Sequence, residues 1–133
     1  MKQVSVFIEN KAGTVVGVLE TLKKAGMQLY AISIADTAEY GICRMICDDP
    51  EGACEALRGA GFVSSITRVF AVRMDDQPGS AAGIVAMFAS AGVDIAYLYS
   101  AIISGEPFLV FRTNDSDRAV EIVSSNGLTL AEV

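Results

Sequence analysis

The chain has 133 residues, 52% of them hydrophobic and 20% charged, with a net charge of −6; that is enough apolar material for a packed core and too much for a disordered protein. An acidic surface argues against nucleic acid and anionic membrane as partners. No apolar stretch approaches the roughly 20 residues of a membrane span, and the N-terminus enters a strand pattern at Val4 without a signal peptide's charged and apolar regions, so a cytoplasmic location is expected.

Residues 4–8 alternate as a strand, and Asn10-Lys11-Ala12-Gly13 reads as a turn. Val15, Val18, Leu19 and Leu22 then recur at helical spacing, and Gly26 stops that helix. A second strand is predicted over 27–35, a turn at Glu39-Tyr40-Gly41, and a third strand over 42–47. Asp49-Pro50 opens a helix, with Asp as N-cap and Pro in the first helical position. Ala53, Ala56, Leu57 and Ala60 supply its small apolar face. Gly61 ends it, and residues 62–66 form a fourth strand.

The second half repeats this order. It has a strand over 69–74, a turn at Asp76-Gln77-Pro78-Gly79, and a helix lined by Ala81, Ile84, Val85 and Phe88. Strands follow over 93–101 and 107–113, then a helix opened by Asp115-Ser116 and a closing strand over 128–133. The shift of 66 positions that carries Gly13 onto Gly79 also carries Gly17 onto Gly83, Ala25-Gly26 onto Ala91-Gly92, Asp49 onto Asp115 and Gly61 onto Gly127, without a gap. A fixed period of this kind marks two copies of one supersecondary unit. The sequence therefore predicts an α+β fold of two tandem βαββαβ modules, residues 1–67 and 68–133, with antiparallel sheets and helices on one face.

In the third strand of each module, Cys43, Met45 and Cys47, or Leu109, Phe111 and Thr113, are expected to face the helices. The alternate positions carry Ile42, Ile46, Phe108 and Val110, interrupted by Arg44 and Arg112. A second face that is also largely apolar is expected to be covered, by the other module or by a second chain; a homodimer is expected.

No catalytic constellation stands out. The chain has no histidine, the commonest general base near neutral pH and the commonest metal ligand. Cys43 and Cys47 lie four apart on one strand, about 13 Å along it, too far to share a metal. Neither first turn carries a Walker-type signature. No catalytic residue, metal or cofactor is expected. Gly17 and Gly83 fall inside helices, where either a close neighbour or mere tolerance explains them.

Residues 6–19 (VFIENKAGTVVGVL) and 72–80 (VRMDDQPGS) resemble the opening of an ACT domain, in which a strand ends in Asn or Asp and a Pro-Gly or similar turn opens a helix. The Gly-apolar pairs Gly26-Met27 and Gly92-Val93 follow in the same pattern, so the resemblance spans nearly the whole chain. It implies a ferredoxin-like fold and a regulatory module that binds an amino acid at module interfaces. Carried over by position, the implied contacts are Asn10, Ala12, Gly13, Thr14, Ser33 and Ile34 in the first module. In the second they are Asp76, Pro78, Gly79, Ser80, Tyr99 and Ser100. Ala12 stands where the family has Pro and Asp76 where it has Asn, so the two halves need not bind equally.

The chemistry of such a site is simple. A helix N-terminus offers unpaired amides and partial positive charge to a carboxylate. Asn10 or Asp76 offers an acceptor to an α-ammonium, and Ile32, Ile34, Tyr97 and Tyr99 line the side-chain pocket. Gly with Asn or Asp is also what any strand-to-helix turn uses, so a purely structural turn stays open. The resemblance implies a stand-alone amino-acid sensor, a homodimer that can act on a metabolic enzyme. Its alternatives are a regulatory subunit of an amino-acid biosynthetic enzyme such as acetolactate synthase, a small ferredoxin-like enzyme, and a structural dimerisation module.

Overall fold

The structure is a computed structural model that describes residues 1–9, 11–36 and 40–131. Its elements run β1 (Lys2–Glu9), α1 (Thr14–Lys24), β2 (Leu29–Asp36), β3 (Tyr40–Cys47), α2 (Pro50–Gly59), β4 (Val63–Arg68), β5 (Phe70–Arg73), α3 (Ser80–Ser90), β6 (Ile95–Ile103), β7 (Glu106–Thr113) and α4 (Ser116–Ser125). The chain divides into two compact units, Lys2–Arg68 and Val69–Val133, the latter with Met1.

Each unit is a ferredoxin-like module. The first holds an antiparallel sheet in the order β2-β3-β1-β4. The second has β6-β7-β5. The closing strand expected over 128–133 is reduced, among the described residues, to a bridge between Leu130 and Val72. Arg73 N–H donates to the Thr129 carbonyl at 2.8 Å, and Ala131 N–H to the Ala71 carbonyl at 2.9 Å. Leu130 thus takes the outer place beside β5 that β4 takes beside β1, but over too few rungs to count as a strand; residues 132 and 133 lie outside the described residues. The turn expected at 39–41 also changes. Glu39 lies outside the described residues, while Tyr40 and Gly41 already belong to β3, paired with Glu9 and Ile8.

Local chemistry sets the helix boundaries. Asp49 and Asp115 cap α2 and α4, accepting from the amides of Gly52 and Arg118 at 3.0 Å each. Ala60, expected on the apolar face of α2, is instead its exposed C-cap. Both modules also tie the entry to the second strand to the exit of the third. Asp48 Oδ1 accepts from Gln28 N–H, and Asn114 Oδ1 from Asp94 N–H, each at 3.0 Å.

The helix-facing side of each sheet forms a core. In the first module Val4, Val6, Ile8, Cys43, Met45 and Cys47 pack with Val18, Leu22, Ala53 and Leu57. In the second, Phe70, Val72, Leu109 and Phe111 pack with Ile84, Phe88, Ala119 and Ile122. On the opposite side of the first sheet, Phe7 pairs with Ile42 and Val63; Phe7 is 54% exposed and Val63 66%. On the opposite side of the second sheet, Ala101, Phe108 and Val110 are buried.

Gly17 and Gly83 have different surroundings. A Cβ on Gly17 would sit 3.3 Å from the Phe62 ring, whereas one on Gly83 would meet nothing within 4 Å. Close approach explains the first glycine, and the second is tolerated. Gly83→Ala is therefore expected to stabilise the protein by about 1 kcal/mol, read as a higher urea midpoint at constant slope.

All three cysteines are free and buried. Burial pushes the Cys43 thiol up from 9.0 to about 11. It also raises Cys47, against a hydrogen bond from the Asp49 backbone that lowers it. These thiols are inert packing groups. Between pH 9.0 and about 11 the unfolded chain has released a Cys43 proton that the folded chain retains, so stability present below this window falls as pH rises through it. Urea midpoints followed from pH 8 to pH 11 are expected to decline over this range. The decline should be shallower in Cys43→Ala.

Among the described residues no helix is long and apolar enough to cross a membrane.

Candidate functional site

The β1–α1 and β5–α3 turns are built alike. Gly13 and Gly79 are the N-caps, held at φ 90° and 87°. A side chain in this left-handed region is strained, so glycine is what lets the chain turn directly from strand into helix. Neither helix has a side-chain cap. In the first turn the Thr14 amide reaches only weakly to the Lys11 carbonyl at 3.4 Å, and the Thr14 hydroxyl donates to the same oxygen at 3.1 Å. The helical ladder begins with Gly17 N–H to the Gly13 carbonyl at 3.1 Å. Among the described residues the amides of Val15 and Val16 therefore have no acceptor. In the second turn Ser80 N–H donates to the Gln77 carbonyl at 3.2 Å, and Ser80 Oγ accepts from Asp75 N–H at 2.9 Å. The ladder starts there with Gly83 N–H to the Gly79 carbonyl at 2.9 Å. The result is a pair of helix N-termini with bare amides and partial positive charge.

Beside the first turn lies a cavity of about 370 Å³, within the range of small-ligand sites. Strand pairing explains its position. Val63 begins β4 opposite Phe7, and Tyr40 begins β3 opposite Glu9. Phe7, Ile8, Tyr40 and Val63 therefore gather where β1 leaves the sheet, and Gly61 and Phe62 close the side towards α2. Glu9, Lys11 and Thr14 of the turn complete the wall. Lys11 Nζ and Glu9 Oε2 form an ion pair at 2.9 Å, both about 70% exposed.

Of the residues anticipated in the first module, Thr14 lines this cavity, and Ala12 and Gly13 form the exposed turn next to it. Asn10 lies outside the described residues. Ser33 and Ile34 sit on the edge strand β2 and are not part of the cavity wall. They face opposite sides of the sheet, since Ser33 pairs with Arg44 while Ile34 pairs with the core residue Cys43. In the second module Asp76, Pro78 and Gly79 form an exposed turn and Ser80 is half-buried. Tyr99 pairs with Val110 and Ser100 with the core residue Leu109, again on opposite sides. The wider pocket set divides by face as well: Ile32 and Ile34 share the helix side with Met45 and Cys43, whereas Tyr97 and Tyr99 lie with Arg112 and Val110 on the other side of their sheet.

Sequence reasoning missed Glu9, Lys11, Phe7, Tyr40, Phe62 and Val63 as parts of one site. The visible signal is the unbroken apolar run Val6-Phe7-Ile8, in which Phe7 departs from alternation. Among the described residues no three Cys, Asp, Glu or His side chains gather as a metal site requires.

Two βαββαβ units, each opening its first helix with a left-handed glycine and bare amides, define a tandem ferredoxin-like protein with a duplicated strand-to-helix turn. The sequence model of the ACT domain pair matches residues 1–132, and the chain belongs to that family. Among solved structures it is similar to protein BT0572 from Bacteroides thetaiotaomicron, with 34% identity and a TM-score of 0.90 over 98% of this chain and 90% of that one. It shares its fold with the ligand-free regulatory subunit of aspartate kinase from Thermus thermophilus, at 17% identity and a TM-score of 0.64 over 93% and 91% of the two chains. The corresponding subunit from Thermus flavus gives 16% identity and a TM-score of 0.62 over 93% and 90%. A comparison with curated proteins returned no match.

Proposed function

We propose that the protein is an amino-acid-binding regulatory protein, a cytoplasmic, non-catalytic tandem ACT sensor. The observation that carries this reading is the first turn, where uncapped amides of α1 stand next to a cavity of about 370 Å³ walled by Glu9, Lys11 and Thr14. Helix amides attract a carboxylate, and a carboxylate side chain attracts an ammonium. Both charges of a free amino acid therefore have a counterpart. Binding would bias the pose of modules or subunits and so the affinity for a partner. The exposed apolar residues Ile32 of the first module and Leu98 and Ile102 of the second, none of them in the cavity wall, support a homodimer, for which sedimentation at twice the 14.0 kDa chain mass is the check.

The test is a thermal-shift screen of the common amino acids. A ligand supplied at about 100 times its dissociation constant should stabilise the fold by about 2.7 kcal/mol. If none of the amino acids raises the melting temperature, the sensor reading fails.

A second reading is a regulatory subunit that docks on a biosynthetic enzyme. One protein of shared fold is the regulatory subunit of aspartate kinase from Thermus thermophilus, and this chain covers 91% of it. An amino-acid response seen only after a catalytic chain co-purifies would favour that reading.

A further inference from the structure

The chemistry of the cavity beside the first turn names a ligand class. We infer that the first module selects amino acids with uncharged, apolar side chains, holding the α-ammonium at Glu9, the α-carboxylate between Lys11 and the α1 amides, and the side chain against Phe7, Phe62 and Val63. This inference rests on the amino-acid-binding reading given above.

Charge complementarity is the first ground. Lys11 Nζ and Glu9 Oε2 stand 2.9 Å apart on the cavity wall, both largely exposed. An exposed pair of this kind adds almost nothing to folding. It is also the mirror image of a zwitterion, whose carboxylate and ammonium are separated by a single carbon. Swapping one pair of opposite charges for two leaves no charge unmatched.

The rest of the wall is the second ground. Beyond the pair and Thr14, it is made of Phe7, Ile8, Tyr40, Gly61, Phe62 and Val63. The Thr14 hydroxyl already donates to the Lys11 carbonyl. A charged ligand side chain would lose water here and gain no counter-ion, a costly exchange. An apolar side chain would instead cover Phe7 and Val63, which are 54% and 66% exposed, and gain in proportion to the area removed from water. The volume of about 370 Å³ suits one amino acid and not a long peptide.

Calorimetric titration of the whole chain tests this with L-leucine, L-phenylalanine, L-serine, L-aspartate and L-lysine as probes. Leucine or phenylalanine is expected to bind about tenfold or more tighter than the other three, a difference of about 1.4 kcal/mol. Val63→Asp should weaken leucine by about tenfold or more. Because Val63 is mostly exposed, its melting temperature should hold. Lys11→Gln should weaken leucine but not leucinamide, which lacks the carboxylate; Glu9→Gln should weaken leucine but not N-acetyl-leucine, which lacks the ammonium. Both derivatives should bind more weakly than leucine, which separates a free amino acid from a peptide end. Tightest binding by serine, aspartate or lysine overturns the apolar selection and leaves the sensor reading intact, as does leucine binding indifferent to all three substitutions. No binding by any amino acid overturns both.

Discussion

Phe111→Ala is expected to destabilise the protein by about 3–5 kcal/mol, a large share of the roughly 5–15 kcal/mol that holds a typical domain together. Phe111 is fully buried in the middle of β7. Its ring stacks on Phe70 with centroids 6.1 Å apart and meets Phe88 edge-on at 4.9 Å. Truncation removes the ring's burial, opens a cavity and forfeits two aromatic contacts worth about 0.5–1.5 kcal/mol each. The urea midpoint followed by circular dichroism should fall steeply, and the near-ultraviolet signal of the remaining aromatics should flatten. Phe7→Ala is the control. Phe7 is more than half exposed, so its loss should leave the midpoint close to that of the parent chain. A cost for Phe111→Ala no larger than that control would show that β7 does not hold the second core.

Much of this architecture is legible in the sequence because local chemistry and the repeat point the same way. Asp49-Pro50 and Asp115-Ser116 announce helix starts through residues that cap amides, and both carboxylates do so. Gly13 and Gly79 announce turns that need a left-handed residue, and both are left-handed. The alternation of Cys43, Met45 and Cys47 identifies the core face of β3. The end of the chain was less legible. Residues 128–131 have the composition of a strand, but strand character depends on how many rungs the neighbour offers, and β5 is only four residues long.

The candidate site combines local and non-local features. The turns are local features, so Gly13, Thr14, Gly79 and Ser80 could be carried over by position from the ACT resemblance. The cavity is not local. It needs the pairing of Phe7 with Val63 and of Glu9 with Tyr40, which joins strand ends far apart in the chain. The second strands were misleading for a different reason. Each carries a register shift, between Leu29 and Ala31 and between Ile95 and Tyr97. A bulge exchanges the two faces of a strand. Both shifts fall at the same point of the repeat, so the faces are exchanged alike in the two modules: Ser33 and Tyr99 lie away from the helices, and Ile34 and Ser100 towards them.

Gly41 tests how tightly the cavity end of the first module is built, and Gly41→Ala is expected to cost about 1–3 kcal/mol by overpacking. Gly41 is buried in β3 directly opposite Ile8 of β1. A Cβ there would lie 2.8 Å from Ile8 Cγ1 and 3.1 Å from Cδ1. Ile8 cannot swing away freely, because it is itself packed in the core and also walls the cavity. The second module shows what relieves the conflict. Its equivalent position is Pro107, whose carbonyl accepts from Met74 N–H at 2.9 Å, and Met is unbranched and adapts its shape where Ile is stiff at its Cβ. The decisive measurement is a double-mutant cycle with Ile8→Ala, which alone should cost about 2–5 kcal/mol. In the double variant the new methyl at position 41 occupies space that Ile8 vacates, so the combined loss should fall short of the sum by about 1 kcal/mol or more. Additivity within about 0.5 kcal/mol would mean that Gly41 is required for some reason other than Ile8. If the coupling is present, the single variant should also weaken whatever fills the cavity, because the same Ile8 side chain that is pushed by position 41 forms part of the cavity wall.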